Sequence, residues 1–296
     1  MEWHRSRHTQ ILAKYPHVRE LFQPDDSQPA RAFGWLLVLH IMVYSIRDLP
    51  LVQSMPLCIA IGPLLGWWAA AALHDICHGN ATRDKTLETI LLSIATFLTA
   101  GLPMNIYQYY HKKHHAYLWK PGHDLETTAL TCNVGWYIQS LNQLLGIMYV
   151  VLFKMPEILG QLCTQKLLLT DGLPAIVSAF VIMSYLGPRH FLLFWCIIFS
   201  QFAWHPLNSR AFREHHIMLV TKQPTMSSYS PVMRWLTGDL CLHVEHHDFP
   251  NIPNTRVREL RKIAPEFYDS LLSTRTIAED MLLMVGVFPT RGLTVD

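Results

Sequence analysis

Residues 51–78 read LVQSMPLCIAIGPLLGWWAAAALHDICH, an apolar run from Leu51 to Leu73 that passes without a break into His74-Asp75-Ile76-Cys77-His78. A helix that crosses a bilayer needs roughly 20 largely apolar residues, and this run has that length. It closes on two imidazoles four residues apart, which share one helix face. A helix that leaves a membrane and delivers two nitrogen donors at its end is the element from which the fold is read.

Ala32 to Ile46 lies just upstream, stopped by Arg47-Asp48-Leu49-Pro50, and makes a tight hairpin with the first run. Leu167 to Tyr185 and His190 to Trp204, turned at Gly187-Pro188-Arg189, form another. Between the hairpins, Leu87 to Tyr107 is apolar but interrupted by Gly101 and Pro103, so it spans or dips in and returns. Trp136 to Phe153 is diluted by Gln139, Asn142 and Gln143, a pattern that suits a helix lying in the interface. The expectation is an all-α integral membrane protein with four transmembrane helices in two hairpins, at about 32–47, 51–73, 167–186 and 189–205. Re-entrant or interfacial helices and a histidine-rich cap, from 74–135 and 206–296, complete it. No repeat or linker divides residues 1–296, so a single domain is expected.

Composition agrees. Half of the 296 residues are hydrophobic and 16% are charged, against about 25% in an average soluble domain, and the mean hydropathy is +0.17. A net charge of +2 gives no reason to expect a nucleic-acid partner. Cys58, Cys77, Cys132, Cys163, Cys196 and Cys241 form no CxxC and read as reduced thiols. The N-terminal stretch is polar and basic, unlike a signal peptide. Gly is absent from position 2, and no retention signal stands at the C-terminus.

The 17 histidines are dispersed, yet eight of them fall in three clusters: His74 and His78; His111, His114 and His115; His243, His246 and His247. Spacings of three and four put each cluster on one helical face. A lone histidine is more often a satisfied core residue, but three clusters at ligand spacing are metal sites. Eight donors exceed the four that zinc usually takes, so a dinuclear centre is expected. Imidazole suits zinc, copper, iron and nickel alike, so ligand type does not choose the metal. His215 is a ninth candidate, with His216 as the neighbouring alternative, and His205 reads as structural. Asp75, Asp124, Glu126, Glu214, Glu245 and Asp248 stand where a carboxylate could take the second N–H of a ligating imidazole; solvated charge is the alternative for each.

Topology constrains this reading. The clusters can share metals only if Leu87 to Tyr107 re-enters, Trp136 to Phe153 stays out, and the last two apolar runs form a hairpin. Both termini then lie on the metal's side. Lys112, Lys113, Lys120, Arg256, Arg258, Arg261 and Lys262 fall there too, which makes that side cytosolic.

At these residues the chain resembles the membrane fatty-acyl desaturase and hydroxylase superfamily, closest to the sphingolipid Δ4-desaturase (dihydroceramide desaturase) family. The resemblance runs from about residue 3 to 270. It is carried by Ile11-Leu12-Ala13-Lys14-Tyr15-Pro16, by His114-His115-Ala116-Tyr117-Leu118 with Gly122-His123-Asp124, by His243-Val244-Glu245-His246-His247-Asp248-Phe249-Pro250-Asn251-Ile252-Pro253, and by Arg261-Lys262-Ile263-Ala264-Pro265-Glu266-Phe267-Tyr268. Two departures stand out: Gly79 separates His78 from Asn80, as in carotenoid ketolases, and Arg210 replaces a histidine of the family.

The resemblance implies two iron ions, O2 as cosubstrate and a dihydroceramide-like lipid whose sphingoid chain gains a double bond. It also implies an endoplasmic reticulum membrane. The chain has neither a GxGxxG fingerprint nor a fused haem segment, so electrons are expected from separate cytochrome b5 and its NADH-dependent reductase. Lys112, Lys113, Arg256, Arg258, Arg261 and Lys262 offer a surface for an acidic donor, with charge that orients the chain in the membrane as the alternative. A sphingolipid C4-hydroxylase or another di-iron acyl-lipid or carotenoid oxygenase would share the clusters. A zinc-dependent or non-catalytic membrane protein is the reading from another class.

Overall fold

The computed structural model describes residues 2–118, 120, 123–124, 160, 164–201, 205, 207, 214–215, 222–284 and 287. In chain order the helices are α1 (Glu2–Lys14), α2 (Gln28–Ile46), α3 (Leu51–Ala60), α4 (Gly62–Cys77), α5 (Lys85–Leu98), α6 (Met104–Tyr117), α7 (Gln165–Leu186), α8 (Pro188–Phe199), α9 (Pro231–Thr237), α10 (His243–Asp248), α11 (Asn254–Ile263) and α12 (Ile277–Met284). Among the described residues two short strands, β1 (Ser227–Ser228) and β2 (Ser273–Thr274), pair in parallel. Trp136 to Phe153, Glu126, Arg210 and His216 lie outside the described residues.

By length and composition α2 and α7 are able to cross a membrane, and α3 with α4 makes a third span if the two count as one. The expected 51–73 helix is in fact bent by 40° at Ile61. Pro63 explains the break: it lacks an N–H, and its ring collides with the carbonyl four residues back. The bend also brings α4 close to α8. A Cβ on Gly62 would lie 2.5 Å from Ile197 Cγ1, so only glycine fits. Small side chains at Ala69 and Ala72 likewise let α2 approach α4, with Leu36, Leu39 and Val43 of α2, Leu92 of α5 and Phe194 of α8 in the same core. Ile41 of α2 and Ile176 and Phe180 of α7 stay more than half exposed on the outside, the apolar face a bilayer would cover. The helix of the fourth expected span, α8, is 12 residues long.

The third apolar run is not a continuous helix. Asp84 caps α5, accepting from the Thr86 and Leu87 amides at 2.7 and 3.2 Å. The helix stops at Leu98, and Ala100 and Gly101 take left-handed φ angles of 56° and 100°. Pro103 leads into α6, which packs back against α5. The first amides of α6 meet acceptors fixed by other elements. Met104 N–H donates to Thr96 Oγ1 at 3.0 Å. Asn105 and Ile106 N–H donate to the buried carboxylate of Asp171, from α7, at 3.1 and 2.9 Å. The run therefore folds as two helices packed against each other, and a carboxylate inside an apolar helix anchors the turn between them.

A second core lies beyond the bundle. Ile11 of α1, Val18, Val244 and Phe249 around α10, and Val257 and Leu260 of α11 are all buried in it. The polar stretches at the two ends of the chain thus build one cap, with α1 seated against α10.

Candidate metal centre

All nine predicted histidines converge. His74, His78, His111, His115 and His246 form one group, and His114, His215, His243 and His247 form another; within each group a donor nitrogen of every ring lies within 4.8 Å of all the others. His205 belongs to neither group.

The helices distribute their donors crosswise. On α6, His111 and His115 serve the first group and His114 the second; on α10, His243 and His247 serve the second and His246 the first. Residues four apart project alike, and the third sits a quarter-turn away, so one helix reaches two neighbouring positions. The groups adjoin, with the His115 and His247 rings stacked at 4.1 Å between centroids.

Imidazole nitrogens from different helices face one another at short range. His111 Nε2 is 2.9 Å from His74 Nε2, 3.0 Å from His78 Nε2 and 3.2 Å from His115 Nε2. His243 Nε2 stands 2.8 Å from His215 Nε2 and 3.1 Å from His247 Nε2. Two nitrogens each about 2.1 Å from one metal are about 3 Å apart at a right angle and farther apart at a tetrahedral one. The spacing and the five-donor count therefore fit an octahedral-type ion better than structural zinc. Burial, and then the neighbouring imidazoles, hold His115, His243 and His247 well below the ordinary histidine range. Neutral imidazole is the form that binds a metal.

The carboxylates divide differently from expectation. Asp124 does pair with a cluster histidine: its Oδ1 accepts from His114 Nδ1 at 3.1 Å, both groups fully buried, leaving His114 Nε2 for the second group. Asp75 instead accepts the Asn254 amide at 2.9 Å, tying α4 to α11. Glu245 accepts from Ser227 Oγ at 2.5 Å and from the Tyr229 hydroxyl at 2.7 Å. Asp248 takes His4 and Arg7 of α1. All three are buried, so each carboxylate required donors, and the nearest came from the scaffold. Glu214 is buried beside His215, its carbonyl accepting from the Met226 amide at 2.9 Å. Asp124→Ala removes the acceptor that holds the His114 tautomer, and metal affinity should fall by about 10–100-fold, read by competition against a calibrated chelator.

Gly79, the departure after His78, ends α4 at φ +73°, and a Cβ there would sit 3.0 Å from Glu88 Oε2. The inserted residue must be glycine because left-handed backbone costs other residues about 1–2 kcal/mol. Gly79→Ala should lower unfolding stability in detergent by that amount. Beyond the turn, the Asn80 side chain donates to the Pro250 carbonyl at 2.9 Å, joining the first cluster to the third.

The expected basic surface is largely engaged locally. Lys112 pairs with Glu88, Arg258 and Lys262 with Glu259, and Arg261 with Asp269, while Arg256 donates to the Gln23 and Pro24 carbonyls. Glu88 is buried, but the pairs made by Arg258, Lys262 and Arg261 are exposed and contribute little energy, so those cations can still turn to a partner.

Sequence reasoning missed Asp171, which stands alone in an apolar run and was legible as an intramembrane carboxylate. It also missed His4, Arg7 and His8, which carry no local signal.

A family model described as "Fatty acid desaturase" matches residues 50–278, and one described as "Sphingolipid Delta4-desaturase (DES)" matches residues 1–27. Among curated proteins, "Sphingolipid delta(4)-desaturase/C4-monooxygenase DES2" of Homo sapiens is 29% identical, covering 90% of this chain and 83% of its own. "Sphingolipid delta(4)-desaturase DES1" of Bos taurus is 27% identical with the same coverage. The protein of that name in Drosophila melanogaster is 27% identical over 91% of this chain and 84% of its own. No solved structure matches the chain.

Proposed function

The chain belongs to the fatty acid desaturase family, and from that premise we propose that it is an O2-dependent di-iron sphingolipid Δ4-desaturase acting on dihydroceramide. The observation that carries the reading is the sorting of nine imidazoles into two adjoining groups at the end of a membrane helix.

His74, His78, His111, His115 and His246 would hold one iron, and His114, His215, His243 and His247 the other. The iron pair supplies the oxidising power that removes hydrogen from an unactivated methylene, chemistry beyond side-chain acids and bases. The chain's own residues do the rest. Buried rings exclude water from the centre, Asp124 fixes a proton on His114 Nδ1, and Asp171 keeps α6 at the depth where its three histidines meet α4 and α10. Bundle and cap together would place one C–C pair of the sphingoid chain beside the metals.

The four apolar segments serve as four membrane spans, with the centre and both termini cytosolic in the endoplasmic reticulum membrane. Cytochrome b5, fed by its NADH-dependent reductase, is the electron donor, approaching the cationic side of α11.

The test is expression in a host lacking its own sphingolipid desaturase, followed by lipidomics. Desaturated sphingoid product supports the reading; an unchanged profile from an iron-loaded protein sinks it. C4-hydroxylation is the second reading, favoured by the human relative, whose name includes a C4-monooxygenase. Oxygen gained without hydrogen lost would establish it.

A further inference from the structure

We propose that α1 is part of the metal centre's scaffold, with His4, Arg7 and His8 acting as positioning residues that hold α10 and, through it, His247. The inference rests on the two-metal reading above and adds to it a role for the N-terminal segment.

The need for such a clamp follows from α10 itself. It is six residues long and has no side-chain cap at its N-terminus, and isolated helices that short do not hold in water. Its orientation, and so the aim of three imidazoles, depends on what grips it from outside. One grip comes from the strand region: Ser227 Oγ and the Tyr229 hydroxyl hold Glu245, and the Val244 amide donates to Ser227 Oγ at 2.9 Å.

The other grip comes from a segment some 240 residues away in sequence. His4 Nδ1 lies 2.7 Å from Asp248 Oδ1, and Arg7 Nε donates to Asp248 Oδ2 at 3.0 Å. Asp248 is the last residue of α10 and follows His247 directly; its side chain is fully buried. The carboxylate only accepts, so His4 donates from Nδ1, and His4 Nε2 is left to accept from the Thr225 hydroxyl at 3.1 Å. Both His4 nitrogens are thus occupied, and the ring, 5.2 Å from that of His247, supports the centre without ligating it.

His8 Nδ1 reaches the main-chain carbonyl of Asp248 at 2.8 Å and stacks on Phe249 at 4.4 Å. Arg7 is held in turn against Trp3 and Tyr268, 4.4 and 5.0 Å from the ring centres. Side chain, carbonyl and next residue of one position are all fixed by one helix. A buried carboxylate left short of donors would turn elsewhere, and Asp248 would take the end of α10 with it.

The experiment uses the full-length protein, purified in detergent, loaded anaerobically with ferrous iron and challenged with a ferrous chelator. Wild type should retain two irons per chain. His4→Ala should release the iron assigned to His114, His215, His243 and His247 about ten- to a hundredfold faster, the range seen when a ligand's support is removed, and the other, which takes a single donor from α10, by a smaller factor. His4→Asn, whose amide can still donate to Asp248, should recover part of the loss. Thr225→Val, a milder change that leaves α1 docked, should give a smaller acceleration in the same direction, and it serves if His4→Ala does not fold.

Lys14→Ala separates positioning from mere docking of α1, because it breaks an ion pair of that helix away from α10, with Glu266, and should leave iron release unchanged. Wild-type release from both His4→Ala and Thr225→Val overturns the inference, as does equal loss in Lys14→Ala. A wild-type chain that retains no iron pair overturns the two-metal reading, and the inference with it.

Discussion

His246→Ala should reduce product to background while the protein still inserts and accumulates. His246 is the one donor that α10 gives to the first group, and its Nε2 stands 3.0 Å from His115 Nε2. Alanine leaves four imidazoles where five were, and opens a buried gap in the layer that separates the centre from water. On the proposed assignment the first metal loses a ligand and the third cluster loses its share in the first group. The second group keeps all four of its donors, so about one iron per chain should survive, measurable by elemental analysis of the purified protein. His205→Ala is the matched control. That histidine accepts from the Leu207 amide and stands in neither group, so both irons should remain. Full activity in the His246 variant would refute the ligand assignment.

Asp171→Leu should be the most damaging change outside the histidines. The carboxylate accepts from Thr96 Oγ1, from Asn105 Nδ2 and from two successive amides at the start of α6. Helix N-termini carry unsatisfied amides and a partial positive charge, which is why a buried carboxylate is tolerated there. Leucine offers no acceptor and strands those donors in an apolar bundle, where each costs about 1–3 kcal/mol. A total of about 3 kcal/mol or more is expected, seen as a lowered unfolding midpoint in detergent. Iron should fall in parallel, because His111, His114 and His115 ride on α6. Asp171→Asn keeps one acceptor oxygen and should lose less. A leucine variant as stable as wild type would show that the cap does not hold the helix.

These two positions differ in how much the sequence says about them. The box histidines were legible because ligand spacing and helical spacing coincide: three and four residues bring side chains to one face whatever surrounds the helix. The return at Gly101 and Pro103 was legible because those residues cannot continue a helix without cost. Asp171 sits in a run whose apolarity argued for a plain span, and nothing local says that another helix begins against it.

The amino-acid sequence alone therefore determined an apolar helical scaffold, three imidazole faces and the turn that allows them to meet. Which histidine serves which group, which partner each buried carboxylate takes, and the docking of α1 on α10 were decided only by tertiary structure. Periodicity governs a helix's own face, but a pairing across 244 residues depends on how helices cross, and no local pattern encodes that.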